Sequence, residues 1–312
     1  MSSTRVAAID IGTNTVLMLI AERRDGEVVA VEEHAEITRL GQGVDRTRRL
    51  DDEAVARTLA VLERYAERAR ALGVQRTAAV ATSAARDASN GPAFRERAAE
   101  LLGGPVDVAS GGREATLTFR GALGGLRIPR NAPVAVIDVG GGSTEVVTGA
   151  AEGAIRWAHS YDVGSVRLTE RHVGDDPPTE AQLEAVRSDA RATYASPPAP
   201  HGPFTAVVAI AGTATTYAAI DLELVDYSAA PPHGHQLALS TLEAIVKRLA
   251  SVPLDERRRT TGLEPKRADV IVAGGIVLAE ATRALGADTL VVSDRGVRWG
   301  LAGELLDAAV NV

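Results

Sequence analysis

The stretch that decides the fold of this chain reads Ile137-Asp138-Val139-Gly140-Gly141-Gly142-Ser143-Thr144-Glu145. An apolar run precedes it and Val146-Val147 follow it, so the glycines are predicted to form a turn between two strands. Glycines let the backbone adopt positive φ and approach a ligand closely. Successive N–H groups in such a turn can bind an anion, and hydroxyls add further donors. We therefore predict that Gly141, Gly142, Ser143 and Thr144 bind phosphate, although an ordinary tight hairpin would also account for the glycines.

Two carboxylates, Asp138 and Glu145, bracket this turn. Carboxylate oxygens beside a phosphate site suit Mg²⁺, a hard cation that takes oxygen ligands and often shares phosphate oxygens. A glycine turn flanked by acids at strand ends is a more specific pattern than the glycines alone. The stretch therefore predicts a site for metal and phosphate, with Asp138 and Glu145 as the metal ligands.

The composition is that of an ordinary globular protein, with 45% apolar and 24% charged residues. At 312 residues, the chain is long enough for two domains that each have a hydrophobic core. No apolar run reaches membrane-spanning length, so we expect a cytoplasmic protein with no membrane partner. The absence of cysteine excludes disulfides, thiolate catalysis and zinc–cysteine sites. A net charge of −7 and only 3% aromatic residues argue against a nucleic-acid partner.

A second copy of the glycine-turn pattern lies at the N-terminus. Val6-Ala7-Ala8-Ile9 leads into Asp10-Ile11-Gly12-Thr13-Asn14-Thr15, in which Asp10 precedes Asp138 by 128 positions. Other segments recur at about this offset, namely Arg39-Leu40 with Arg167-Leu168 and residues 80–84 with residues 210–214. Repetition at one offset indicates a duplicated domain. Two copies that face each other would place both turns on one cleft.

Alternating strand and helix patterns predict an α/β fold. In the first copy, strands near 5–11, 15–22 and 27–39 form an antiparallel meander, and a helix runs from an Asp51 cap to Gly73. The remaining predictions are helices at 94–102, 113–123, 179–193, 240–250, 267–285 and 297–309, strands at 77–81, 106–109, 206–210 and 289–292, and a surface loop at 222–234.

The predicted domain boundary lies at residues 124–133, which carry glycine, proline and polar side chains. We predict a first domain over residues 1–125 and a second over 126–296. The C-terminal helix at about 297–312 is predicted to pack back on the first domain.

The N-terminal turn offers further candidate ligands. Thr13, Asn14 and Thr15 are candidates for phosphate binding, and Asp10 is a candidate metal ligand. The alternative is an ordinary hairpin whose short polar side chains stabilise the turn by local hydrogen bonds.

Three other positions could carry chemistry. Gly212 and Thr213 open a helix after a buried strand, where free N–H donors suit a phosphate but also an ordinary N-cap. Arg86 offers a forked set of donors for phosphate, although an arginine there is also typical of a surface ion pair. Glu114 lies in the first turn of a helix, where the dipole alone favours glutamate. No Walker A lysine follows a glycine loop, and the histidines form no metal-binding pattern.

Taken together, the chain resembles the exopolyphosphatase and guanosine pentaphosphate phosphohydrolase (Ppx/GppA) family of the actin-like ATPase superfamily. The resemblance covers nearly the whole chain. Besides the two turns, it runs through Arg39-Leu40-Gly41-Gln42-Gly43-Val44-Asp45, Ala81-Thr82-Ser83-Ala84-Ala85-Arg86-Asp87-Ala88, Ser110-Gly111, Glu114-Ala115, Gly164-Ser165-Val166-Arg167-Leu168-Thr169-Glu170, Gly212-Thr213-Ala214-Thr215-Thr216, Arg267-Ala268-Asp269-Val270-Ile271, Ala273-Gly274-Gly275 and Val292-Ser293-Asp294-Arg295-Gly296-Val297-Arg298.

This resemblance implies two duplicated ribonuclease-H-like domains with the active site in the cleft between them, in the short two-domain form of the family. It implies Glu114 as the catalytic residue and Asp138 and Glu145 as ligands of Mg²⁺, with Mn²⁺ as an alternative. It also places Asn14 and Arg86 among the phosphate ligands. A homodimer is expected at the level of the family.

We therefore expect an exopolyphosphatase that releases orthophosphate from inorganic polyphosphate, with Arg167 a candidate for the chain beyond the scissile bond. The alternatives are hydrolysis of guanosine pentaphosphate, an ATP-dependent kinase, and a non-catalytic polyphosphate sensor. The sensor is motivated by one departure, because the family usually has acids just before the catalytic glutamate and this chain has Gly112 and Arg113. Arg113 is a candidate contact for substrate phosphates. Without a neighbouring carboxylate, metal binding or the pKa of the base would change.

Overall fold

The structure, a computed structural model, describes residues 4–225 and 232–310. The chain divides into two compact units, Met1–Gly121 with Val297–Val312 and Ala122–Gly296. Residues 226–231 of the loop predicted at 222–234, and the last two residues of the predicted C-terminal segment, lie outside the described residues. Within the described ranges, no helix is both long and apolar enough to cross a membrane.

The first unit is built on a five-stranded sheet in the order β3-β2-β1-β4-β5. The first three strands form the predicted antiparallel meander, and the last two run parallel to β1. The strands are β1 (Arg5–Ile11), β2 (Thr15–Arg24), β3 (Glu27–Ile37), β4 (Arg76–Ala81) and β5 (Val106–Val108). The meander, the strand before residue 81 and the short strand after residue 105 are therefore confirmed.

The described residues in the first part of the chain also form five helices, two after β3, two after β4 and one after β5. They are α1 (Val44–Thr47), α2 (Asp52–Ala71), α3 (Ser83–Asp87), α4 (Gly91–Leu102) and α5 (Gly111–Ala122). The predicted cap of α2 is confirmed, because the Asp51 carboxylate accepts a hydrogen bond from the Ala54 N–H at 3.0 Å. Gly73 follows the helix with φ +67°, a left-handed conformation that glycine adopts at no steric cost.

The second unit is built on a six-stranded sheet in the order β10-β11-β9-β6-β7-β8. The strands are β6 (Pro133–Val139), β7 (Thr144–Ala150), β8 (Ile155–Tyr161), β9 (Ala206–Ile210), β10 (Gln236–Ala238) and β11 (Thr289–Val292). The helices are α6 (Ser165–His172), α7 (Glu180–Tyr194), α8 (Ala211–Asp221), α9 (Leu239–Ala250), α10 (Leu254–Arg257) and α11 (Ile271–Ala284), with a 3₁₀ helix at Pro265–Arg267. Almost every residue of α11 is buried, and the helix is central to the core of this unit.

The two sheets share one topology, as the duplication predicts. The series β8-β7-β6-β9-β11 repeats the order and the strand directions of β3-β2-β1-β4-β5, and β10 is an addition at the edge. The second strand of each sheet also carries an irregularity in register, between Ile20 and Ala21 in β2 and between Thr148 and Gly149 in β7. These positions again differ by 128, so the fold is a duplicated α/β fold.

The C-terminal helix, α12 (Val297–Val310), packs on the sheet of the first unit. Side chains of β1 alternate between two faces, as a strand requires. Val6 and Ala8 lie in a core with α5 and α12, whereas Ala7 and Ile9 lie in a core with α2 and α4. A Cβ on Gly300 would lie 2.2 Å from the carbonyl oxygen of Leu117, so α12 and α5 cross at backbone distance.

Candidate active site

The glycine-rich turn of the second unit joins β6 to β7 as a tight hairpin. The Gly140 N–H donates to the Ser143 carbonyl at 3.0 Å, and Asp138 pairs directly with Glu145 in the ladder. Both acids are buried, with 8% and 1% of their surface exposed. Buried like charges at opposed positions destabilise each other unless a proton or a cation compensates. One Glu145 oxygen also accepts a hydrogen bond from the Ser160 hydroxyl at 2.6 Å. The pair offers carboxylate oxygens, which are the ligands that a hard divalent cation such as Mg²⁺ prefers.

Backbone carbonyls of the turn are held by the start of α6. The Gly141 carbonyl accepts hydrogen bonds from the N–H groups of Val166 and Arg167, at 2.9 and 3.0 Å. The Arg167 side chain is buried and donates from Nε to the Gly142 carbonyl at 2.6 Å. Gly164 has no room for a side chain, because a Cβ would lie 2.5 Å from the Gly141 oxygen. Arg167 therefore supports the turn through Nε, and its contact with phosphate stays a prediction.

Two hydroxyls of the second unit point into its own backbone. The Thr144 hydroxyl is fully buried and donates to the Val163 carbonyl at 2.6 Å. The Thr213 hydroxyl lies 3.5 Å from the Val139 carbonyl, at the end of β6. The first turn of α8 thus contacts the end of β6. Both hydroxyl protons are donated to backbone carbonyls and so stabilise the fold. Phosphate binding by Ser143, Thr144, Gly212 and Thr213 stays a prediction.

Arg267 is a candidate that the sequence reasoning did not select. Its guanidinium lies against Gly212, where a Cβ would come within 2.1 Å of Nη1. The N-terminus of α8 already favours anions through its dipole, and a guanidinium there strengthens the positive potential. The sequence could have indicated this residue, because Arg267 is the first residue of one of the segments that carry the family resemblance.

The N-terminal turn repeats the hairpin in the first unit. The Gly12 N–H donates to the Thr15 carbonyl at 3.0 Å, and Thr13 and Asn14 are buried at 7% and 8% exposure. The Thr13 hydroxyl shares a 2.9 Å hydrogen bond with the Ser83 hydroxyl. Asp10 lies at the end of β1. The turn is thus a hairpin whose polar side chains are inside, and its ligand roles stay predictions.

Glu114 lies in the first turn of α5, and the chain buries its carboxylate to 5% exposure. The Ser110 hydroxyl accepts from the Arg113 N–H at 3.2 Å, and the Ser110 carbonyl accepts from the Glu114 N–H at 2.9 Å. Nη1 of Arg86 lies 3.7 Å from Glu114 Oε2, and Nε of Arg86 lies 3.3 Å from Asp87 Oδ1. The structure therefore brings Glu114 and Arg86 together, as members of a partly buried ion pair.

Arg113 forms its ion pair with a different helix, and its contact with substrate phosphates stays a prediction. Both of its terminal nitrogens bind the Glu304 carboxylate of α12, with an Nη1–Oε1 distance of 2.7 Å. Arg120, two turns further along α5, binds the same carboxylate at 3.0 Å. The hydrogen bond to Glu304 raises the pKa of Arg113. The side chain at the unusual position is thus part of a helix–helix contact.

Within residues 4–225 and 232–310, no cluster of three or more His, Cys, Asp or Glu side chains is placed to hold a metal ion. Asp138 and Glu145 nevertheless fit Mg²⁺, which commonly takes one or two carboxylates and completes its shell with water and substrate phosphate.

The model of the Ppx/GppA phosphatase family matches residues 19–309. The chain belongs to this family. The Ppx/GppA resemblance of the sequence is therefore confirmed, and with it the expectation of a phosphatase.

Individual Ppx/GppA relatives match almost end to end. Exopolyphosphatase 2 of Mycobacterium tuberculosis is 39% identical, over 97% of this chain and 98% of its own length. The crystal structure of an exopolyphosphatase-like protein is 31% identical with a TM-score of 0.93, over 99% of this chain and 100% of that one. The Ppx/GppA family member of Aquifex aeolicus is 32% identical with a TM-score of 0.80, over 98% and 99% of the two chains.

Proposed function

We propose that this protein is an exopolyphosphatase that hydrolyses the terminal phosphoanhydride bond of inorganic polyphosphate and releases orthophosphate. The observation that carries the proposal is the buried Asp138–Glu145 pair beside a glycine hairpin. Membership of a phosphatase family and the 39% identity to a relative named exopolyphosphatase support the substrate. The candidate residues come from both units of the chain.

Asp138 and Glu145 would hold Mg²⁺, with Asp10 as a further candidate ligand. When bound, this ion would neutralise charge on the transferring phosphoryl group. The protein's own part is to keep two buried carboxylates at fixed positions in a β-ladder, where backbone hydrogen bonds prevent them from separating. The Ser160 hydroxyl donates a hydrogen bond to one oxygen of Glu145 and so orients this carboxylate.

Glu114 would orient a water and accept its proton as the water attacks the terminal phosphorus. Arg86 lies beside this carboxylate and would hold phosphate oxygens close to the base. The two hairpins would hold the equatorial oxygens, with Thr13, Asn14, Thr15, Ser143 and Thr144 and the glycines as candidate ligands. Phosphoryl transfer depends mainly on such positioning and on charge stabilisation.

Phosphate release from polyphosphates of several lengths, with and without Mg²⁺, tests the proposal. Glu114→Gln should lower turnover by about 10²–10⁴-fold, the range for loss of a general base, while the protein remains folded. The matched control is Glu100→Gln, an exposed glutamate of α4 in the same unit, which should behave as the parent protein. Unchanged turnover in Glu114→Gln would remove Glu114 from this role.

The same assay separates the rival substrates. Preferred hydrolysis of guanosine pentaphosphate would assign the protein to the other activity in the family name. Transfer of phosphate from ATP to an acceptor would make it a kinase. Tight binding of polyphosphate without Mg²⁺-dependent phosphate release would make it a sensor and overturn the proposal.

A further inference from the structure

The contact between α5 and α12 has two parts, one in the backbone and one in side chains. Gly300 of α12 meets the carbonyl of Leu117 so closely that no side chain fits between them. One turn further along α12, Glu304 reaches α5 and binds Arg113 and Arg120. The backbone contact fixes where the helices cross. The carboxylate, held by residues seven positions apart on one face of α5, fixes the rotation of α5 about its axis.

Rotation of α5 matters because Glu114 directly follows Arg113. Successive residues of a helix point about 100° apart, so Arg113 faces α12 while Glu114 is turned inwards to Arg86. A side-chain oxygen lies roughly 6 Å from the axis of a helix, so a rotation of about 10° moves it by about 1 Å. A displacement of that size can cost an enzyme up to about 10²-fold in rate.

We infer that Glu304 is a positioning residue for Glu114, acting through Arg113 on the first turn of α5. The inference rests on the proposed role of Glu114 as the general base. It also gives a role to the arginine that stands where the family resemblance predicts an acid. Arg113, bound to Glu304, orients the turn that carries the base.

The pair is partly exposed, and this separates a positioning role from a stabilising one. The side chains of Arg113 and Glu304 are 44% and 26% exposed, and exposed ion pairs contribute little to folding stability. Loss of the pair should therefore leave the thermal midpoint of unfolding nearly unchanged and should lower kcat.

The test measures kcat and KM for phosphate release in the full chain. Glu304→Gln and Arg113→Gln should each lower kcat by about tenfold and change KM by less than about twofold, because alignment of the base is lost and substrate binding is kept. The double variant should lose no more than Glu304→Gln alone, since that change already removes the contact between Arg113 and Glu304. Glu304→Asp, which keeps the carboxylate, should retain more activity than Glu304→Gln.

The matched control is Asp307→Asn. Asp307 lies one turn beyond Glu304 on α12 and binds Arg23 of β2, so its loss removes an ion pair of α12 with a different partner. Its kcat should equal that of the parent protein. An unchanged kcat in Glu304→Gln, an equal loss in Asp307→Asn, or losses that multiply in the double variant would each overturn the inference. Full activity in Glu114→Gln would instead overturn the proposed role of Glu114, on which the inference rests.

Discussion

The two glycine hairpins have the same backbone and different chemistry. In each, the N–H of the first glycine donates to a carbonyl three residues later at 3.0 Å, from Gly12 to Thr15 and from Gly140 to Ser143. In each, the next carbonyl accepts from the segment that follows the third strand, at Thr13 from Gly41 and at Gly141 from Val166. The hydrogen bond within each turn is therefore preserved at the offset of 128 positions, and so is the second acceptor, whereas the second donors, Gly41 and Val166, are 125 positions apart.

The two hairpins differ in the side chain opposite the aspartate that is repeated in both units. Asp138 pairs with Glu145, whereas Asp10 pairs with Leu17. The next strand continues the difference, because Glu145 pairs with Ser160 and Leu17 pairs with Ala35. One ladder position thus carries a hydrogen-bonded carboxylate in the second unit and apolar side chains in the first. The two units thus share the backbone frame, and only in the second is the aspartate of the ladder paired with another acid.

The largest expected effect comes from removing that carboxylate. Glu145→Gln should lower Mg²⁺-dependent phosphate release by about 10³-fold, because a bound metal supplies several kcal/mol of transition-state stabilisation. The control is Glu22→Gln, which removes a buried glutamate of β2 that binds Arg5 and Arg24. It should lower the free energy of unfolding by about 1 kcal/mol and leave kcat unchanged. Equal losses of activity in both variants would contradict the expectation that the glutamate of the second unit has a special role in turnover.

The next effect concerns the two glycines that pack against the hairpin turns, Gly164 and Gly41. Gly164→Ala should cost about 3 kcal/mol of unfolding free energy, because its Cβ would meet the backbone of Gly141, which cannot move without breaking the hairpin. Gly41→Ala instead meets the Thr13 side chain, 2.2 Å from Cγ2. Adding Thr13→Ser removes that methyl and should recover part of the loss in chemical denaturation. A Gly164→Ala protein as stable as the parent would contradict the tight approach.

Ser160→Ala tests the hydrogen bond that orients Glu145. Loss of a group that supports a metal ligand commonly costs 10–100-fold in affinity, so the Mg²⁺ concentration for half-maximal activity should rise by about tenfold. The reverse change at the matching position of the first unit, Ala35→Ser, should have no effect, because Leu17 offers no acceptor there. Mg²⁺ titrations of both variants measure the difference.

The smallest effect lies where the fourth strand of each unit ends. Ala211 adopts φ +65°, a left-handed conformation that costs a non-glycine residue about 1 kcal/mol. Ala211→Gly should therefore raise the free energy of unfolding by about 1 kcal/mol. Ala81→Gly, the matching change in an ordinary strand, should lower it by about 1 kcal/mol. Thermal unfolding of the two variants measures the sign of each change in the free energy of unfolding. A change in the same direction in both variants would contradict the backbone strain at Ala211.

Local elements and the duplication could be predicted because their signals are local. The meander of β1 to β3 follows from apolar segments joined by turns, and the start of α2 follows from the Asp51 cap. The pairing of Asp138 with Glu145 follows from the length of the turn, since a tight hairpin places its flanking residues opposite each other. Arg113 could not be placed in this way, because its partner Glu304 lies 191 positions away.

The sequence by itself determined the family, the repeated frame and the acids at the ends of the hairpins, because motifs and repeat offsets are properties of residue order. Only the tertiary structure decided which donors serve the fold. Arg167 supports the Gly142 carbonyl, the Thr144 hydroxyl binds the Val163 carbonyl, and Arg267 covers the start of α8. Each of these roles depends on a partner brought close by packing, and a polar side chain acquires its hydrogen-bond partner only when the chain has folded around it.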